Sequence, residues 1–343
     1  MAMIDLCERG LVPDALTRYG IRRLCAQRLK DEGARDAALA QRRYRELLAR
    51  LGESPIAIET AAANEQHYEV PTRFFQLCLG RRLKYSSCYY PTGRETLDEA
   101  EEAMLALYGE RAQLSDGQQI LELGCGWGSL TLWMAERYPN ARITAVSNSN
   151  GQREHIEAQC RKRGWMHVRV VTCDVNRLQL AEGQFDRCVS IEMFEHMRNY
   201  DSLFGRIRGW LEPGGMLFAH IFCHRQLMYP FETEGEDNWM GRHFFTGGLM
   251  PSADTLVDAQ THLPLQQRWL LPGTHYQRTA DHWLANQDRH RDEVLAVLRE
   301  AYGDADAQRW HQRWRMFWMA CAELFGYDGG REWLVAHYRF AKT

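Results

Sequence analysis

Residues Ile120 to Ser129 read ILELGCGWGS, an apolar run that ends in glycines at 124, 126 and 128 and leads into a second apolar stretch, Leu130 to Tyr138. This pattern describes a strand that feeds a helix through a tight turn. A glycine turn at that junction lets the backbone bend sharply and come close to a ligand, which any Cβ would obstruct. The spacing is G-x-G-x-G, so the third glycine position of the dinucleotide fingerprint G-x-G-x-x-G is missing. A strand-to-helix turn that uses glycine only for packing is the bland alternative, and the flanking sequence weighs against it.

Strand-like segments follow in order at Arg142–Ser147, Val168–Thr172, Phe185–Ile191 and, after Pro213-Gly214-Gly215, Met216–Phe222. Helical stretches Leu130–Tyr138, Gln152–Arg163 and Ser202–Leu211 separate them. Such alternation predicts a parallel α/β sheet, in which ligands bind beyond the carboxyl ends of the strands. Glu122 stands two residues before the first glycine, and acid-x-Gly-x-Gly resembles the first motif of Rossmann-like S-adenosylmethionine (SAM) methyltransferases. The resemblance implies that Gly124 and Gly126 border the cofactor, that Asn148 and Gln152 bond its ribose, and that Asp174 accepts from its adenine amino group, with Val175 and Ile191 at the same strand ends. Each polar residue among them could instead cap the helix that follows.

The chain has 343 residues, 45% of them hydrophobic, enough to bury a full core. Its net charge of −3 carries no basic bias, and the arginines between Arg22 and Arg50 alternate with Asp31, Glu32, Asp36 and Glu46. They read as a solvated helical face, and nucleic acid is not an expected partner. Ten cysteines without a C-x-x-C pair read as reduced thiols and suggest no zinc site. The start carries Asp5 and Glu8, and no run approaches ~20 apolar residues, so neither a signal peptide nor stable membrane insertion is expected. A cytoplasmic location follows, and a homodimer is compatible with the sequence.

Residues 1–115 read as a helical cap and 116–343 as the cofactor-binding core, with a lid and a helical insertion at about 224–330. The excursion Arg225–Ser252 is rich in aromatic and acidic residues and is expected to be ordered as the lid. Closing strands are predicted at Leu265–Leu271 and Leu334–Phe340, around helices from Ala280 to Phe325.

The chemistry is expected just past the fourth strand, in SIEMFEHMRNY, Ser190–Tyr200. Glu192, Glu195 and His196 stand at i, i+3 and i+4, which on a helix puts all three on one side. Two carboxylates and an imidazole suit an amine methyl acceptor. A carboxylate attracts the ammonium form, a neutral imidazole takes its proton, and the carboxylates stabilise the cation formed. The carboxylates are expected to raise the histidine's pKa, against the pull of a helix N-terminus.

With these residues the chain resembles the coclaurine N-methyltransferase group within the cyclopropane fatty acid synthase-like methyltransferases. The matching stretches include ANEQHYEVPTRFF from Ala63, LKYSSCYY from Leu83, LELGCGWGSL from Leu121, FFTGGLMPS from Phe244, HYQRT from His275 and AELFGYDGGREWLVAHY from Ala322. The resemblance implies a Glu-His catalytic pair at Glu195 and His196 beside Glu192, and a Tyr-Ser pair over the cofactor at Tyr85 and Ser86. It implies a substrate-side carboxylate at Glu69 and pocket aromatics at Trp314 and Phe317. On spacing alone, Trp310, Trp314 and Phe317 are a core stripe. Arg313 would put a cation in or near the pocket, or point to solvent.

The lipid-modifying branch of that family implies a bound bicarbonate. A cysteine after the Tyr-Ser pair, the glutamate of Phe-Glu-His, a histidine after strand five and a lid-side tyrosine hold it. Glu195, His220 and Tyr276 fit these places, but Ser87 follows the Tyr-Ser pair and Cys88 comes one place late. Glu192 adds a second carboxylate that would repel an anion. The reading is therefore a SAM-dependent N-methyltransferase of a small, aromatic or alkaloid-like amine. It has a Rossmann-like class I fold whose seven-stranded, mostly parallel sheet ends in an antiparallel strand. A cyclopropane synthase or fatty-acyl methyltransferase is the alternative, and a non-catalytic SAM-binding protein the other.

Overall fold

The computed structural model describes residues 3–58, 70–235 and 238–343. Its strands are β1 (Gln119–Leu123), β2 (Arg142–Ser147), β3 (Val168–Thr172), β4 (Phe185–Ile191), β5 (Leu211–His224), β6 (Tyr229–Pro230), β7 (Leu249–Met250), β8 (Leu265–Pro272) and β9 (Trp333–Ala341). Seven of them form one sheet in the order β3-β2-β1-β4-β5-β9-β8. Strands β1 to β5 are parallel, and β9 runs antiparallel to both β5 and β8. The last strand in the chain is thus the reversed one, as predicted.

Register aligns the strand ends that matter. Leu123 pairs with Val146 and with Ser190, Ser147 with Thr172, and Ile191 with His220. One edge of the sheet therefore collects the chain turns that follow β1, β2, β3 and β4. The predicted turn at Pro213–Gly215 is instead a bulge inside β5, because the register with β4 jumps from Phe185↔Leu211 to Arg187↔Met216. Gly214, at φ 80°, donates its N–H to the Lys342 carbonyl there.

Helices Ser129–Arg137, Asn150–Arg163 and Tyr200–Trp210 connect the parallel strands within two residues of the predicted bounds. Ser149 and Asn199 cap the last two by accepting from Gln152 N and Ser202 N. The insertion consists of three helices, Thr274–Arg289, Arg291–Tyr302 and Asp304–Gly326. Helix Asp14–Asp31 lies against the last of these, where Arg18 bridges Asp281 and Glu323, and Arg315 bridges Asp14. Several arginines that read as a solvated face are in fact paired: Arg22 with Glu323, Arg28 and Arg43 with Glu32.

The described part of the excursion after β5 contains the short β6–β7 pair and helix Trp239–His243. Arg198, 7% exposed, donates to the carbonyls of Gly247 and Gly248 and fastens this segment to the chain beyond β4. All ten cysteines are free thiols. Among the described residues no helix is long and apolar enough to cross a membrane, and no cluster suits a metal ion.

Candidate active site

A cleft opens at the carboxyl edge of the sheet, and Tyr85, Ser86, Gly124, Gly126, Asn148, Gln152, Asp174, Val175 and Ile191 all line it. Gly124, at φ 79°, is packed so that a Cβ would lie 2.7 Å from Met193. Gly126, at φ 52°, differs: a Cβ there would meet no protein atom within 4 Å. The space beside it is part of the cleft.

Trp127 Nε1, Ser129 Oγ and Gln152 Nε2 are buried donors without a protein partner, while Gln152 Oε1 is held at 2.7 Å by Ser147 Oγ. Burial pushes the Glu122 carboxyl up to about 8, with only the Thr131 hydroxyl opposing it. A carboxyl in that state gains from a neighbouring ammonium. Unspent donors and an undercompensated carboxyl match a nucleoside that carries an amino acid, and the residues present fit SAM. Gly126→Val should therefore reduce SAM affinity by at least about tenfold. The expected loss of stability is only the roughly 1–3 kcal/mol of a strained left-handed residue, and calorimetric titration beside a thermal melt reads both.

The reacting end departs from the expected helix. Glu192 sits at φ 46°, its N–H donating to the His220 carbonyl at 2.8 Å, and only Phe194–His196 forms a single 3-10 turn. The left-handed residue breaks the i, i+3, i+4 alignment, so the three side chains do not share a helical face. Glu192 and His196 line the cleft, whereas Glu195 does not. Glu195 is fully buried and accepts from Phe222 N at 2.7 Å on β5. Burial and then the charge of Glu192 hold its carboxyl well above the usual range.

Glu192 accepts from Ser87 N at 2.9 Å and from the Tyr276 hydroxyl at 2.7 Å, and its Oε1 lies 3.0 Å from His220 Nε2. Burial raises its pKa, and Lys84, the Ser87 amide and Tyr276 oppose that rise. A carboxylate has only acceptors to offer, so the two donors Ser87 N and Tyr276 match its ionised form. His196 stacks on Phe245 with ring centres 5.3 Å apart. Burial first, then Arg198, lowers its pKa to about 4, outweighing the pull of Glu192 in the other direction. The imidazole is thus neutral, contrary to the expected rise.

His220 and Tyr276 lie behind Glu192 rather than on the cleft wall, since Glu192 takes the hydrogen bonds of both. Cys88 is fully buried and directs its thiol to the Ser86 carbonyl. Trp314 and Phe317 are core residues, packed with Phe74 and Phe244 at ring distances of 4.4 to 4.9 Å. Arg313 pairs with Glu8 at 3.0 Å and covers Trp310, so it supplies no cation to the cleft. Glu69 lies outside the described residues. Sequence reading missed Lys84, which is 1% exposed and donates to Ser86 Oγ and Ser87 O. A lysine in a short loop segment carries no periodic signal of burial.

The mycolic acid cyclopropane synthetase family matches residues 57–329. The chain belongs to this family. Within it, the (S)-coclaurine N-methyltransferase of Thalictrum flavum subsp. glaucum is 37% identical over 99% of this chain and 95% of its own. The enzyme of the same description from Papaver somniferum is 35% identical over 98% of this chain and 96% of its own. The crystal structure of coclaurine N-methyltransferase bound to N-methylheliamine and S-adenosylhomocysteine superposes with a TM-score of 0.95, covering 99% of each chain at 37% identity. The predicted resemblance to the coclaurine N-methyltransferase group therefore holds, and with it the Rossmann-like methyltransferase fold and the SAM cofactor.

Proposed function

We propose that this chain is a SAM-dependent N-methyltransferase of small amines, with Glu192 and His196 at the reacting nitrogen. The observation that carries the reading is the Glu192 carboxylate. It accepts from Ser87 N, His220 and Tyr276, and so fills with a protein side chain the place where a lipid-modifying relative needs bicarbonate. The relatives support it, since the similar plant enzymes are described as N-methyltransferases and the superposed structure holds an N-methylated amine.

When bound, SAM supplies an electrophilic methyl group on a sulfonium. Tyr85 and Ser86 cover it in this reading, Asn148 and Gln152 hold the ribose hydroxyls, and Asp174 takes the adenine amino group. The neutral His196 ring accepts an amine N–H and so turns the nitrogen lone pair toward the methyl group. Positive charge moves from sulfur to nitrogen during transfer, and the ionised Glu192 favours that shift. Glu195 supports the turn that carries His196 instead of touching substrate. An aromatic or alkaloid-like amine fits the aromatic lid, with Glu69 as its further carboxylate. A cytoplasmic protein without a nucleic-acid partner belongs to the same proposal.

Bicarbonate separates this function from lipid modification. Activity on an amine panel is expected to be the same in carbonate-depleted and carbonate-supplemented buffer. Bicarbonate-dependent transfer of labelled methyl into phospholipid acyl chains would overturn the amine reading.

A further inference from the structure

Behind Glu192 a line of side chains crosses β5 and β9 and ends at Arg111. His220 and His337 are cross-strand partners in the antiparallel β5–β9 pair, and both are fully buried. Arg111, the last residue of helix Leu97–Arg111, places Nη1 2.8 Å from His337 Nδ1. His337 Nε2 lies 3.0 Å from His220 Nδ1, and His220 Nε2 lies 3.0 Å from Glu192 Oε1.

A guanidinium has donors only and keeps its charge at any working pH. His337 Nδ1 must therefore accept, and the ring hydrogen sits on Nε2. That hydrogen points at His220 Nδ1, which must accept in turn, so the hydrogen of His220 sits on Nε2 and points at Glu192. In the opposite arrangement His220 would donate from Nδ1 to the Tyr108 oxygen, 2.8 Å away, and accept from a protonated Glu192. With Arg111 in place that arrangement sets two N–H groups against each other across 3.0 Å. It is excluded.

We propose that Arg111 is a positioning residue that acts through His337 and His220 to keep Glu192 an acceptor, and hence an ionised carboxylate, at the reacting nitrogen. The proposal rests on the reading that Glu192 faces the amine. Burial holds both histidines well below their ordinary range, so neither becomes charged and the hydrogen-bond direction persists across neutral pH. The other titratable groups facing Glu192 are Lys84, Cys88, Tyr108, Glu195, His196, Tyr276 and Cys321. Those facing Arg111 are Tyr89, Tyr108, Glu110, His337 and, across the shared Trp269 ring, Arg339. Among them Lys84 favours the ionised Glu192, but it does not contact either histidine ring in a way that would set a tautomer.

The test uses the whole protein with 15N-labelled histidine, free of substrate, together with pH profiles of turnover. In the wild type both rings are expected as neutral Nε2–H tautomers. Arg111→Met should release a population with hydrogen on Nδ1 and move the acid limb of kcat upward by about one pH unit, a tenfold loss at the foot of the limb. Arg111→Lys, again a donor-only cation, should restore both readouts. Should Arg111→Met fail to fold, Arg111→Leu, which likewise offers no donor to His337, carries the same test. An Nδ1–H tautomer in the wild type, or wild-type tautomers and pH profile in Arg111→Met, would overturn the proposal. Normal turnover in Glu192→Gln overturns it too, and the ring-nitrogen spectra distinguish that failure from a mistaken hydrogen-bond direction.

Discussion

Turnover of His196→Ala is expected to fall by about 10²- to 10⁴-fold with SAM affinity nearly unchanged, the usual contribution of a positioned proton acceptor. The ring lines the cleft and is held flat against Phe245, so its removal takes away an oriented group without unlocking the cofactor wall. Magnitude also decides how the ring acts. Its pKa of about 4 lies some six units below the roughly 10 of a simple alkylammonium, and each unit is worth about 1.4 kcal/mol. His196 therefore cannot strip a resting ammonium ion, and instead orients the amine that has already lost its proton. Above pH 5 the ring stays neutral, so it should add no break near 6.5 as kcat/KM climbs with the titration of the substrate. An acceptor amine whose own pKa lies below about 5 should have a flat profile from pH 6 upward. A histidine-like inflection with such a substrate would show that the ring titrates and that the neutral-acceptor role is wrong.

Glu192→Ala should cost about 10²- to 10³-fold in turnover. A carboxylate about 4 Å from a developing cation at an effective dielectric near 20 is worth about 4 kcal/mol, which sets the upper end. The variant leaves Ser87 N, His220 Nε2 and the Tyr276 hydroxyl converging on an emptied position. Formate supplied in the buffer should bind there and restore part of the rate, and bicarbonate, of similar shape and charge, should do so to a lesser degree. The wild type should respond to neither. Equal stimulation of wild type and variant would mean that Glu192 does not occupy the anion position, and the argument for an amine acceptor would lose its main support.

Glu192→Ala and Arg111→Met are related but separable. The first removes the carboxylate at every pH, whereas the second leaves it in place and changes only how readily it takes a proton. A uniform loss across the pH range is expected of one and a displaced acid limb of the other.

Much of this was legible along the chain. ILELGCGWGS at 120–129 specifies a strand, a glycine turn and a helix through local pattern and backbone freedom, and four strand segments read from alternation reappear with their predicted bounds or within a few residues. Seven of the nine predicted residues that line the cleft follow from the same logic, because a parallel sheet delivers the ends of its strands to one edge, whereas Tyr85 and Ser86 came from the family resemblance alone. Local periodicity could not place the reacting groups. Glu192 is held at a positive φ by its hydrogen bond to the His220 carbonyl on the neighbouring strand, not by any preference of its own, and that one residue turns Glu195 inward and His196 outward. Likewise, SIEMFEHMRNY carries no trace of Lys84, Ser87, Tyr276, His337 or Arg111. These residues are separated by tens to hundreds of positions and meet only when β9 pairs with β5 and the insertion helices close over the sheet. Strand order and cofactor edge are encoded in neighbouring residues, whereas the hydrogen-bond partners of Glu192 are ones that only long-range pairing assembles.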